Sequence, residues 1–530
     1  MEQFEHIDAS EFAFVQMDAR LHDAKLEKKS RGYFADAMIR FRKNKSSVVA
    51  AWILLFLLLF AIFAPELSIY TVEDTDERYQ NFPPFLPIAV ENNWGFWDGS
   101  DTMDGRNETQ YVKMLAIGKE TGMNPFVKEL GSSSTWEKIR GKWVEKFTYK
   151  VEYNKYYSLG LEYYTLTYSE FEDLVKWQDE NDIQVIYPYV YFSQEQKEIK
   201  NADIWYKVDD KGKPIYDTKE TLHPSELVNH LQPIYCTDES GEYKKYDGKR
   251  IEGDDGSYIY SYMKSRPTYN EDGSIKSDGT VEVRLCYYNY YTYLNGHEPF
   301  FIFGTTGDNM DMFTAIGMGA RFSLIFAILV SAINLTIGAI VGAIQGYYGG
   351  WIDMIIDRTT DILARLPFMV CVTLFQLHFA KTVGVVGAFL FAYVLTGWIG
   401  MAALTRKQFY RFKGQEYVMA ARTLGASDKR LMFKHIFPNA IGTIITSCVL
   451  VIPGVISTET TFAYLNIIDL SDFAGTSIGK LMSMGQNTAA NYPHTMLFPA
   501  LFVALLLICF NLFGNGLRDA FNPSNRGVED

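Results

Sequence analysis

The chain has 530 residues, room for about three or four ordinary domains, and its 63 acidic against 50 basic side chains leave a formal charge of −13. The excess is local. Residues 66–310 carry about −17 and the remainder about +4, which describes one acidic soluble domain beside a basic membrane part and gives no sign of a nucleic-acid partner. A mean hydropathy near zero hides the same split, because long apolar runs lie near residue 50 and after residue 320.

Residues 1–45 are polar, with no apolar core near the start, so no cleavable signal peptide is expected. Lys28, Lys29, Arg31, Arg40, Arg42, Lys43 and Lys45 crowd the approach to the first apolar run against one acid, Asp36. By the positive-inside rule this end belongs in the cytoplasm. Ser46–Ala64 follows without a charge and is long enough to cross a hydrocarbon core, with Pro65 expected to end it.

Residues 66–302 are then expected outside the cell. Tyrosines crowd this block: Tyr153, Tyr156, Tyr157, Tyr163, Tyr164 and Tyr168, then Tyr187, Tyr189 and Tyr191, then Tyr287, Tyr288, Tyr290, Tyr291 and Tyr293. Aromatic and β-branched runs between turn signals predict strands over Ile183–Phe192, Tyr258–Lys264 and Val281–Tyr293. Thr167–Asn181 predicts a helix with Leu174, Val175 and Trp177 inward. The block reads as an α+β domain large enough for its own core. A tyrosine-lined peptide groove and half-buried strand aromatics both fit it. Cys236 and Cys286 fall here, and if the block is extracellular they are a candidate disulfide pair, which spacing alone does not test. Cys371, Cys448 and Cys509 lie in apolar runs as small buried or lipid-facing side chains.

Five further spans are expected after it. Ser323–Tyr347 carries Gly338, Gly342 and Gly346 at i, i+4, i+8, a stripe that permits close helix approach. A polar turn through Asp353, Asp357, Arg358, Asp361 and Arg365 leads to Pro367–Ala380, followed around Lys381 by a tight turn into Val383–Leu404. Ile441–Thr458 ends at Glu459, a charge at membrane depth that is either a site in the path or a carboxylate reaching water. His494–Phe513 is the last.

Between the fourth and fifth of the six lies a basic loop, residues 405–439, too charged for lipid and too patterned for a random connection. From Glu416, the positions Tyr417, Val418, Ala420, Ala421 and Leu424 recur at helical spacing, and Gly425 sits where the helix should end in a left-handed cap. Ser427 is placed to cap a second helix with Asp428 in its first turn, and Pro438 should close it.

The run from Tyr417 through Ala420, Ala421, Arg422, Leu424, Gly425, Ala426 and Ser427 to His435, Pro438 and Asn439 resembles the EAA loop of ABC importer permeases. It looks most like the C-type subunit of the dipeptide and oligopeptide branch, with Met419 where the motif's glutamate usually stands. Phe303-Gly304-Thr305, Asp311, Gly319–Leu324, Gly349-Gly350 and Gly514-Asn515-Gly516 extend the resemblance over residues 303–523, with the first span and Asn81–Pro84 beside it. The resemblance implies a mainly α, six-helix permease, with helix 1 at 46–65, an α+β insertion at 66–302, a core with helices 2–6 at 303–523, and a short tail at 524–530. It implies that Glu416, Tyr417, Ala420, Ala421, Arg422, Leu424, Gly425, Ala426, Ser427, Arg430, His435 and Pro438 dock an ATPase, with Glu459 a candidate in the translocation path. The expected partners are a second homologous permease, two ATPase subunits that hold ATP and Mg, an extracellular solute-binding protein, a peptide substrate and the lipid bilayer. Both termini are expected in the cytoplasm.

The chain carries no phosphate loop and no H-E-x-x-H, so it is expected to bind no nucleotide or metal and to catalyse nothing itself. A membrane-anchored extracellular sensor or adhesion protein is the alternative, and an ion-coupled transporter a third reading that the near-absence of charges within the spans disfavours.

Overall fold

The computed structural model describes residues 33–71, 76–139, 141–190, 200–233, 260–270, 272, 275–470 and 475–521. In chain order, helices α1 (Tyr33–Lys43), α2 (Lys45–Leu67) and α3 (Pro87–Glu91) lead to strand β1 (Ser100–Arg106) and helix α4 (Glu108–Thr121). Strands β2 (Phe126–Ile139), β3 (Lys142–Asn154) and β4 (Leu161–Thr167) follow, then α5 (Tyr168–Asn181), β5 (Ile186–Tyr187) and α6 (Pro224–Leu227). Next come β6 (Ser261–Ser265), β7 (Thr268–Tyr269), β8 (Ile275–Ser277), β9 (Thr280–Cys286) and α7 (Tyr287–Asn295). The remainder is helical: α8 (Met312–Tyr348), α9 (Gly350–Ala364), α10 (Phe368–Thr396), α11 (Ile399–Lys413), α12 (Glu416–Thr423), α13 (Asp428–Arg430), α14 (Phe437–Val449), α15 (Val451–Tyr464), α16 (Ile478–Thr488) and α17 (His494–Phe521). The chain divides into two compact units. One comprises Met1–Leu57, Ile325–Thr458 and Ala504–Asp530, the other Leu58–Leu324 and Glu459–Val503.

In the second unit, β1, β3 and β2 form an antiparallel sheet, and β9 pairs with β4, β5 and β6 in another. Both longer helices of the domain start on a capping box, Asn107 with Gln110 for α4 and Thr167 with Glu170 for α5, each satisfying two otherwise orphaned backbone donors. Leu174 is buried on α5 as the pattern predicts, with Val175 and Trp177 packed partly against the same core. That core is aromatic. Tyr79, Phe85, Tyr156, Tyr287, Tyr288 and Tyr291 are all buried in it, Phe85 stacks on Tyr156 at 4.1 Å, and the Arg78 guanidinium lies 4.6 Å over Tyr287. These tyrosines are core side chains.

Three strand predictions need correction. Val281–Tyr293 is a strand only to Cys286; Tyr287, Tyr288, Tyr290 and Tyr291 then bury at helical spacing on α7, which ends at Gly296 with φ +72. Among the described residues of Ile183–Phe192 only Ile186–Tyr187 joins a sheet, and among those of Tyr258–Lys264 the strand starts at Ser261 and runs to Ser265. Cys286 is buried, while Cys236 lies outside the described residues. Pro65 does not end the first span, since α2 continues to Leu67. A proline removes the donor for the carbonyl four residues back, here Ala61, and Arg321 Nε supplies one at 3.2 Å, with Nη2 on Ile62 O at 2.5 Å.

Among the described residues five helices are long and apolar enough to cross a membrane: Lys45–Leu67, Met312–Tyr348, Phe368–Lys413, Asp428–Tyr464 and His494–Phe521. The expected break around Lys381 is present, displaced by three residues within α10. The break falls at Gly384, whose φ of 78 and ψ of 163 lie outside helical space and suit glycine alone. In the first unit the glycine stripe of α8 lies against α11. A β-carbon on Gly342 would come within 2.3 Å of Ala402 O, and on Gly346 within 2.7 Å of Phe409 Cβ. Close approach of two backbones therefore requires these glycines.

Candidate functional site

The residues 405–439 fold locally as their pattern dictates. Helix α12 ends at Leu424, and Gly425 takes φ +79. Gly425 N donates to Arg422 O at 3.0 Å and Ala426 N to Ala421 O at 3.1 Å, the paired bonds of a Schellman turn. Ala421 and Ala426 flank the turn and pack partly into the same apolar cluster, the hydrophobic contact such turns carry. A β-carbon on Gly425 would meet nothing within 4 Å, so the elbow points into open space.

Past the elbow the structure departs from expectation. Ser427 holds the N-cap position with extended backbone, but its hydroxyl makes no capping bond. After the single turn of α13 the chain winds as a π-helix over Leu431–Ile436. Pro438 does not close the helix. It lies in the first turn of α14, where its missing N–H costs least, and the helix runs on into the span.

One side of this element is fixed. Val418, Leu431, Met432 and Ile436 are buried with Ala343 and Tyr347 of α8 and Phe409 of α11. The Tyr347 hydroxyl donates to Asp428 Oδ1 at 2.5 Å and accepts from Arg422 Nη2 at 3.4 Å. The other side is bare. Leu424 is 88% exposed, Phe433 61% and Met419 57%, while Glu416, Tyr417, Ala420, Ser427, Arg430 and Pro438 are also exposed and His435 is half-buried. A helix–elbow–helix whose back is pinned and whose apolar front is unpartnered can receive a force or a partner, and no reactive group is needed for either.

Sequence reasoning did not connect the acids of α9 with this region. Arg406 on α11 donates Nη2 to Asp353 Oδ2 at 2.6 Å and Nη1 to Asp357 Oδ1 at 2.8 Å, and the Tyr410 hydroxyl donates to Asp353 Oδ2 at 2.7 Å. Burial works to raise the Asp353 carboxyl, but the bonds from Tyr410 and Arg406 outweigh it and hold the group below the usual carboxylate range. Lys413 Nζ donates to Gly346 O at 3.2 Å. The spacing of Asp353 and Asp357 at i, i+4 was the available signal, since one guanidinium fork spans that distance on a helix.

Glu459 belongs to the other unit. It is 0% exposed, so it does not reach water. Oε2 accepts from Ser323 Oγ at 2.7 Å, and Oε1 has no partner among the described residues. Backbones close around it: a β-carbon on Gly479 would lie 2.4 Å from Thr460 O, and one on Gly319 would lie 2.8 Å from Ile478 N.

Comparison with known proteins matches residues 334–527 to the family described as "Binding-protein-dependent transport system inner membrane component", and residues 32–84 to "N-terminal TM domain of oligopeptide transport permease C". The chain is 38% identical over 224 residues to the oligopeptide transport system permease protein OppC of Bacillus subtilis, covering 42% of this chain and 72% of that one. It is 35% identical over 225 residues to the dipeptide transport system permease protein DppC of the same organism, covering 42% and 69%. Among solved structures, inward-facing conformations of the MetNI methionine ABC transporter align at a TM-score of 0.33 and 14% identity, covering 40% of this chain and 98% of that one.

Proposed function

The chain belongs to the oligopeptide and dipeptide permease family of binding-protein-dependent transport components, and from that premise we propose that it forms half of a peptide path and takes its driving force from an ATPase docked on the elbow at Gly425. It is a multi-pass membrane subunit of an ABC transporter and not itself an enzyme. The observation that carries the docking reading is the contrast across residues 416–439: a buried back packed on α8 and α11, and an exposed front led by Leu424 and Phe433.

Movement of the docked ATPase would be delivered as a rigid-body displacement, because the elbow is packed into α8 and α11 and Arg406 ties α11 to α9. In this reading Phe368–Lys413 crosses the membrane twice. As one helix its 46 residues would run roughly 69 Å at 1.5 Å per residue, more than twice a hydrocarbon core of about 30 Å, and Gly384 supplies the break. Six spans then put both termini and residues 405–439 in the cytoplasm and residues 66–302 outside, in agreement with the charge of each loop. A second permease, two ATPases with their ATP and Mg, and an extracellular solute-binding protein complete the importer. In this reading Glu459, buried and held by Ser323 of α8, is the candidate polar group of the translocation path.

Reconstitution tests the proposal. Proteoliposomes holding this chain with its partner permease and ATPases should accumulate labelled peptide only with ATP and binding protein present. Accumulation without the ATPases would contradict it. Deleting residues 100–295 should lower uptake while leaving ATPase association intact; full uptake after the deletion would remove the outer domain from the transport cycle.

A further inference from the structure

The second unit contains a pocket that the transport reading does not use. Its volume is about 250 Å³, and α4 lines one wall with Gln110, Lys113, Met114 and Ile117, the i, i+3, i+4, i+7 stripe of a single helix face. Met103 and Arg106 of β1 and Tyr153 of β3 close the opposite side, with Asp203 at the edge.

Two cations enter this pocket, and only one is neutralised. Lys113 Nζ pairs with Asp203 Oδ2 at 3.0 Å, and Asp203 Oδ1 is occupied by Leu161 N at 2.8 Å. Arg106 has no ion pair within the described residues, and its Nε is buried without a hydrogen-bond partner. Its placement is built in. The β1–β3 register is irregular between Met103 and Arg106, where Gly105 takes φ +70, and such a bulge re-aims the side chain that follows. An Arg106 guanidinium that lines the pocket and is unpaired among the described residues can take a planar anion on its terminal nitrogens with two parallel bonds.

We propose that this pocket binds the free carboxylate of a small organic acid or peptide C-terminus, with Arg106 as the carboxylate clamp and Met103, Met114 and Ile117 as the seat of its apolar side chain. The volume lies below the roughly 300 Å³ of ordinary ligand pockets, so it admits a terminal residue and excludes a peptide's length. The inference does not rest on the transport reading, because it concerns binding to the outer domain of the isolated subunit.

Calorimetric titration of the purified full chain in detergent tests it, using Ala-Leu, Ala-leucinamide, N-acetyl-leucine and inorganic phosphate. Ala-Leu and N-acetyl-leucine should bind, the amide roughly tenfold or more weaker. Arg106→Gln should weaken the two carboxylates by a similar factor, and Arg106→Lys, which keeps the charge but loses the fork, should fall between. Unchanged thermal unfolding of both variants separates lost binding from lost folding. The proposal is overturned by no carboxylate binding at millimolar concentration, by equal binding of the amide, by unaltered affinity in a folded Arg106→Gln protein, or by phosphate binding as tightly as the carboxylates.

Discussion

Gly425→Asp is expected to abolish ATP-driven uptake and co-purification of the ATPase subunits while the protein still inserts and folds. The left-handed conformation at φ +79 costs a residue with a β-carbon about 1–2 kcal/mol, and aspartate tolerates it better than most. That is too little to unfold an element whose back is held by Val418, Leu431, Met432 and Ile436. The new carboxylate would project into open space beside Leu424, where a partner's apolar surface would have to bury it unpaired. Gly425→Asn keeps the same shape without the charge and should retain part of the association. Wild-type ATPase recovery from Gly425→Asp membranes would contradict docking at this elbow.

Arg284→Ala should be the most destabilising single change in the domain built on β1–β9. The Arg284 and Glu120 side chains are 0% and 2% exposed, and two guanidinium–carboxylate bonds of 2.6 and 2.5 Å join β9 to α4. Arg284 also donates Nε to Ala202 O at 2.5 Å and Nη1 to Pro188 O at 3.1 Å, so one side chain ties four segments. Its loss leaves Glu120 buried without that cation, a penalty of roughly 3–5 kcal/mol. Thermal unfolding followed by tryptophan fluorescence should drop by about 10 °C. The double variant Arg284→Met with Glu120→Leu should recover much of it, because both charges then leave the interior together. An unshifted transition in Arg284→Ala would contradict the pinning.

What could be read from residues alone followed from local rules with few competitors. Uncharged length marked the spans, glycine spacing marked the face of α8 that meets α11, and Gly425 marked a helix end. The misreadings arose where a distant group decides. Pro65 looked terminal because Arg321, far away in sequence, is what satisfies the freed carbonyl. Pro438 looked like a stop because only the preceding π-turn turns it into a first-turn residue. Tyr287–Tyr293 was read for its β propensity, although burial at i, i+1, i+3 and i+4 was already written in its letters. Within the site, the elbow was legible but its anchors were not. Tyr347 lies tens of residues away and Phe409 on the preceding helix, and no spacing links Arg406 to Asp353 and Asp357 before the helices pack.

The elbow carries the central claim, and a cross-link tests it most directly. Leu424 is 88% exposed, whereas Cys286, Cys371 and Cys509 are buried. Leu424→Cys in membranes of the assembled importer, treated with a short thiol-to-amine cross-linker, should join this chain to an ATPase subunit. Trp136→Cys, on the exposed β2–β3 hairpin, should not. The bond from Leu424→Cys should disappear when Gly425→Asp is added. A cross-link to the ATPase from position 136, or its persistence from position 424 in the Gly425→Asp background, would contradict the account.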